Sequence, residues 1–222
     1  MAKAKRPRTK AERQARLEQI LQHLDTLYPN VTCALHHNSP WELLVATILS
    51  AQCTDERVNM VTPALFQEYP TVESLAAADP REVGKIIFST GFYNNKAKNI
   101  VGAAQKLLAD HGGEVPQEME ALLQVPGAAR KTANVVLGTC FGIASGVVVD
   151  THVSRIAQRL DLTREKTPEK IERDLMKLLP EERWISFSHQ LIHHGRGLCT
   201  ARSPKCGQCP LEPICYAADK TI

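Results

Sequence analysis

Four cysteines, Cys199, Cys206, Cys209 and Cys215, fall within 17 residues, separated by six, two and five others. No other feature restricts the fold as much. The segment that carries them is polar and is broken by Pro204, Gly207 and Pro210. It can bury little apolar surface of its own, so something other than a core has to order it. Loops turning at those prolines and that glycine can bring the four thiols to one centre, and four free buried thiols do not suit so polar a stretch. The chain has seven cysteines, an odd number, and the other three (Cys33, Cys53 and Cys140) are isolated and expected as small buried residues. Clustering with an odd count argues for a metal centre over a disulfide framework. Only one CxxC pair is present, whereas a structural zinc site usually has two or adds histidine. All-cysteine ligation at irregular spacing fits an iron–sulfur cluster too. Inside the first gap, Arg202 and Lys205 place cations on the loop, a natural phosphate contact.

The rest of the chain reads as helices. Apolar residues recur at helical spacing in Leu17, Ile20, Leu21 and Leu24, in Val83, Ile86 and Ile87, and in Ile100, Ala103, Ala104 and Leu107. Helices are expected at 11–27, 41–52, 54–69, 71–78, 80–90, 94–111, 119–124, 130–141, 151–160, 167–179 and 181–194. The second, WELLVATILSAQ, is nearly all apolar and should be central and buried; Ser39-Pro40 starts it as a cap followed by proline at the first position. No segment alternates with period two, and the run 146–149 is too short to seed a sheet. The fold class is all-α.

Between two of these helices lies VPGAARKTANVVL at 125–137. A short helix, a turn at Pro126, Gly127, Ala128 and Ala129, and a second helix from Arg130 make a helix-hairpin-helix. Its turn can aim backbone N–H groups at a phosphate, and the N-terminal end of the second helix adds a positive dipole. Lys131 sits in that first turn. Nineteen residues on, Asp150 stands before Thr151 at the start of another helix. A lysine at a phosphate-gripping turn also occurs in hairpins that only bind, and an Asp before a helix is also a good cap. The lysine and the later carboxylate together point to chemistry on DNA.

Charge is uneven. The first 20 residues carry seven Lys/Arg against two Glu, whereas the remainder has 20 basic and 22 acidic residues. Nucleic-acid contact is therefore expected from local patches, such as the acid-free stretch 183–211 with Arg183, Arg196, Arg202 and Lys205, and from residues 1–10, read as a disordered basic tail. An aromatic content of 5% does not suit a stacking platform for single strands. The N-terminus has no apolar segment of a secretory signal, and no run approaches a membrane span. No membrane association is expected, and the default location is cytoplasmic.

These features together resemble the endonuclease III family of DNA glycosylases and AP lyases. The likeness runs from Trp41 onward. It includes SAQCTD at 50–55, GFYNNKAKNI at 91–100, the hairpin, VDTHVSRI at 149–156, HHGRGLC at 193–199 and the cysteine spacing. It implies a two-lobed helix-hairpin-helix glycosylase fold: a six-helix barrel domain over 33–143, and an iron–sulfur domain from 1–32 plus 144–222. It implies a bifunctional base-excision enzyme that removes oxidised pyrimidines from duplex DNA through a lysine Schiff base and nicks by β-elimination. The implied cofactor is a 4Fe-4S cluster on Cys199, Cys206, Cys209 and Cys215, which resolves the choice against zinc. The implied partner is double-stranded DNA with a damaged base or abasic site, bound by a monomer in a bacterial, nucleoid-associated setting.

By the same resemblance Lys131 is the nucleophile and Asp150 its partner. Gln52 fills the hole left by the extruded base, and Phe92 wedges the opposite strand where the family often has leucine. Pro126, Gly127, Ala128, Ala129, Arg130, His152, Arg202 and Lys205 are implied DNA contacts. The hairpin usually carries a second glycine where this chain has Ala129. If that position is left-handed, a β-carbon there costs about 1–2 kcal/mol and reshapes the phosphate grip. Ala128 replaces a branched residue, and Leu123 stands where some relatives have an acid. Two alternatives use the same framework: an adenine-mismatch glycosylase, whose relatives lack the hairpin lysine, and a non-catalytic DNA-binding or electron-transfer protein built on the cluster.

Overall fold

A computed structural model describes residues 6–221. Its described residues hold eleven α-helices and no strands. Cα proximity divides the chain into two compact units, one from Cys33–Ser145 and one from the residues on either side of it.

The Cys33–Ser145 unit is built round α2 (Pro40–Leu49). Ser39 accepts the N–H of Glu42 at its start, Pro40 supplies a helical φ, and every residue from Leu43 to Leu49 is buried. A helix apolar on all sides has to be surrounded. Around it pack α3 (Asp55–Glu68), α6 (Tyr93–His111) and α8 (Arg130–Phe141). The short α4 (Val72–Ala76) and α5 (Pro80–Ile86) lie against α6, and α7 (Met119–Leu122) against α8. Fully buried Leu43, Leu44, Leu49, Leu65, Ile100 and Leu107 form the core, each contributing about 1.5–3 kcal/mol.

The other unit joins α1 (Lys10–Leu27) to α9 (Thr151–Arg159), α10 (Pro168–Leu178) and α11 (Trp184–Gly197). Ile20 and Leu24 of α1 share a core with Val153, Ile156, Phe187 and Leu191. The cysteine loop follows α11, and Leu211 is its buried anchor in that core.

Several boundaries differ from expectation, and two differences matter. Helix α2 ends at Leu49, so Gln52 lies outside any helix, with a left-handed φ of 53°. The expected helix 80–90 breaks at Ile87 into a separate 3-10 turn, Phe88–Thr90. At the other end of the chain, Thr9 accepts from Glu12 N–H while Glu12 receives the Thr9 N–H, a capping box that makes Lys10 the first residue of α1. Arg6 pairs with Asp161 at 3.5 Å and lies over the Tyr216 ring. Residues 6–10 are thus engaged with their own unit, contrary to the disordered tail expected there; residues 1–5 of that tail lie outside the described residues.

Candidate active site and cluster site

The hairpin forms as its sequence demands. Gly127 has φ 81°, and a β-carbon there would come within 3.0 Å of both Ile48 and Asn99. Glycine is therefore required twice, by conformation and by the close seat of the turn on α2 and α6. Ala128 is buried and donates its N–H to Val125 O at 3.0 Å. Ala129 is the N-cap of α8 with φ −84° and ψ 171°. The strain expected of it does not arise: the left-handed residue of the turn is Gly127, and Ala129 is extended backbone that any L-residue adopts. No side chain caps α8, so its N-terminal end is left to an outside acceptor. Pro126, Arg130 and Lys131 are exposed around it.

Gln52 and Phe92 share an unusual property. With Asp161 they are the non-glycine residues of positive φ among those described, at 53° and 48°. Both are exposed, and Phe92 keeps 64% of its surface in solvent. A left-handed conformation in such residues costs on the order of 1–3 kcal/mol and persists where the surroundings hold it. Beside Phe92, Phe88 is also exposed and packs on Tyr93 with ring centroids 4.9 Å apart.

In the other unit Asp150 is half-buried and caps α9, its Oδ1 accepting the Val153 N–H at 2.8 Å. Its second oxygen is not used in that cap. Two residues on, the His152 ring lies under Gly195 of α11, where a β-carbon would stand 2.6 Å from Nδ1. Burial pulls the His152 pKa down, with Arg155 and Arg196 acting in the same direction and Asp150 against it. His152 is thus a half-buried residue wedged between two helices, and its surroundings favour the neutral ring.

All four loop cysteines line one cavity, with Arg159 and His194 among its other walls. Short backbone bonds order the loop: Cys199 N–H to His194 O at 2.8 Å, Lys205 N–H to Leu198 O at 2.8 Å and Cys209 N–H to Cys206 O at 3.1 Å. Arg155 donates to Cys199 O at 2.9 Å, and Arg159 to the Cys199 Sγ at 3.2 Å and to Thr200 O at 2.7 Å. The buried His194 sits 3.2 Å from the Tyr28 hydroxyl through Nδ1 and 3.5 Å from Cys209 Sγ through Nε2. Burial lowers the His194 pKa to about 4 and pushes the Cys209 thiol up to about 11. As protein alone this pocket holds Cys209 and Cys215 toward the neutral thiol, and a bound metal's positive charge offsets that preference. Four cysteines around one cavity, with no other ligand type among them, fit an iron–sulfur cluster. Arg202 and Lys205 are exposed on the loop.

Sequence reasoning missed Arg155, Arg159 and His194, which tie the loop to α9 and α11. The available signal for His194 was its place about one helical turn before Cys199. The three isolated cysteines are half-buried, not buried as expected.

Residues 45–181 match the HhH-GPD superfamily of base excision DNA repair proteins, which defines the class. Residues 199–215 match the iron-sulfur binding domain of endonuclease III. Endonuclease III of Synechocystis sp. is 57% identical over 95% of this chain and 96% of its own length. That of Escherichia coli K12 is 42% identical over 92% and 96%. Among solved structures, a non-covalent endonuclease III–DNA complex superposes with TM-score 0.87 at 41% identity, covering 91% of this chain and 94% of the other. A trapped endonuclease III–DNA covalent intermediate gives 0.87 at 40%, covering 91% and 95%. The chain belongs to the endonuclease III family. It is a DNA-binding base-excision repair enzyme, a DNA glycosylase with AP lyase activity, whose cysteine loop holds a 4Fe-4S cluster. No helix among the described residues is long and apolar enough to cross a membrane.

Proposed function

We propose that Lys131 is the nucleophile and Asp150 the carboxylate that serves it, in removal of oxidised pyrimidines from duplex DNA by a monomer acting on the cytoplasmic nucleoid. The observation that carries this reading is the placement of Lys131. It is exposed in the first turn of α8, behind a turn that only glycine can make and a helix end that no side chain caps. A phosphate held at that end sets the adjacent sugar beside the lysine.

A stacked base is out of reach, so the nucleotide must leave the helix, at a cost of a few kcal/mol. Gln52 entering the void and Phe92 wedging the step offset that cost. The neutral amine of Lys131 bonds to C1′ as the C1′–N bond breaks and the base departs with a proton. Loss of an N–H proton and opening of the ring give a Schiff base. Loss of a C2′ proton then breaks the C3′–O bond, and water releases the lysine. Asp150 carries the negative charge that takes up the lysine's proton or steadies the cationic sugar. Its cap bond to Val153 fixes its direction for that task. Cys199, Cys206, Cys209 and Cys215 would hold the cluster, which supplies order to the loop bearing Arg202 and Lys205 when bound. The alternative of an adenine-mismatch glycosylase has no use for Lys131 at this position.

The test is a set of duplexes with one oxidised pyrimidine, one undamaged pyrimidine or one adenine mismatch. Base release and a β-eliminated 3′ end on the first alone agree with the reading. Release of the mismatched adenine without a nick contradicts it.

A further inference from the structure

Lys96 lies in the first turn of α6 and is 4% exposed. Its Nζ donates to the carbonyl of Thr90 at 2.8 Å. Thr90 is itself buried, and its hydroxyl donates to Ile87 O at 2.8 Å, closing the 3-10 turn that precedes Gly91 and Phe92. Cys53, the neighbour of Gln52, acts on the same ammonium electrostatically. Helix α3, which begins just after Cys53, packs on the same 3-10 turn. One buried cation thus holds the turn before Phe92, φ 48°, and that turn packs on the helix that follows Gln52, φ 53°.

A lysine is an expensive choice here. Burial works against its charge. Methionine would fill the same volume without a desolvation cost, and such replacements are often neutral or stabilising. Stability therefore does not explain the residue. A three-donor head group does something methionine cannot: it holds a carbonyl of the Phe92 loop in place, in a turn that also packs on α3.

We propose that Lys96 is a positioning residue for nucleotide extrusion, keeping the strained backbones of Gln52 and Phe92 in the conformation that enters the DNA. This rests on the insertion roles given to those two residues above. It assigns Lys96 no part in the chemistry at C1′.

The experiment uses the cluster-loaded enzyme and its Lys96→Met variant. Single-turnover base release is measured on a duplex with one oxidised pyrimidine, and strand nicking on a duplex with a preformed abasic site. A 2-aminopurine beside the lesion reports unstacking. The expected result is a loss in base release on the order of ten- to a hundredfold, as for a displaced positioning group. The fluorescence rise should shrink with it, while abasic nicking stays within about threefold. In a Phe92→Ala background the same substitution should add little, because the two changes act on one step. Unchanged base release, equal losses in both reactions, or full additivity with Phe92→Ala would overturn the proposal. If Lys96→Met does not accumulate as folded protein, Lys96→Leu, which also lacks a donor, takes its place under the same criteria. A wild-type enzyme inactive on both duplexes would count against the proposed function itself and is read separately.

Discussion

The carboxylate of Asp150 accepts the N–H of Val153 at 2.8 Å, closing the first turn of α9. One residue thus has a structural duty, visible in the geometry, and a proposed chemical one. Asparagine caps about as well as aspartate, so Asp150→Asn keeps the first and removes the second. The variant should melt within a few degrees of wild type and lose about 10²–10⁴-fold in single-turnover rate. A normal rate in a normally folded variant would remove Asp150 from the mechanism.

The hairpin gives a paired prediction. Ala129→Gly supplies the second glycine that the family resemblance implies but relieves nothing, because φ is already −84°. Its effect on stability should be a few tenths of a kcal/mol, the usual difference for glycine at an N-cap. Gly127→Ala forces a β-carbon into a φ of 81° and to 3.0 Å from Ile48 and Asn99. That should cost at least about 1–2 kcal/mol and weaken DNA binding. Melting curves and duplex-binding titrations on the two variants decide this, and a destabilised Ala129→Gly would contradict the assignment of the strained position.

Much of the site can be read along the chain because its parts are local. Four cysteines close together, a Gly turn before a lysine and an Asp before Thr151 each declare themselves within a few residues. What stayed hidden depends on contacts far apart in sequence. Lys96 looks like any helix-surface lysine until Thr90 is found beneath it, and His194 like surface until Tyr28 and Cys209 close on it. The exposed ends of helices hid the rest. Nothing in WELLVATILSAQ says that the helix stops at Leu49, yet that stop is what turns Gln52 into an exposed left-handed residue. Ala129 misled because a missing glycine was read as a strained one, when the turn needs positive φ only at Gly127.

His194 bears on the cluster. The tautomer in which Nδ1 accepts from the Tyr28 hydroxyl leaves Nε2–H to donate toward Cys209 Sγ, 3.5 Å away. A donor aimed at a ligating sulfur favours the reduced state of the cluster and supports the ligand. The purified enzyme should contain iron and sulfide, about four of each. His194→Leu should retain the metal but show a lower reduction potential and faster loss of the visible absorbance in air. An unchanged potential and bleaching rate would show that the contact has no influence.

The central claim is that Lys131 forms the covalent bond to DNA, and borohydride trapping on abasic-site duplex tests it most directly. Wild-type protein should give a stable protein–DNA adduct whose attachment maps to Lys131. Lys131→Ala should give none while still binding the duplex, because the backbone donors of the Gly127 turn remain. An adduct of normal yield from Lys131→Ala, or one that maps to another lysine in the wild type, would contradict the account.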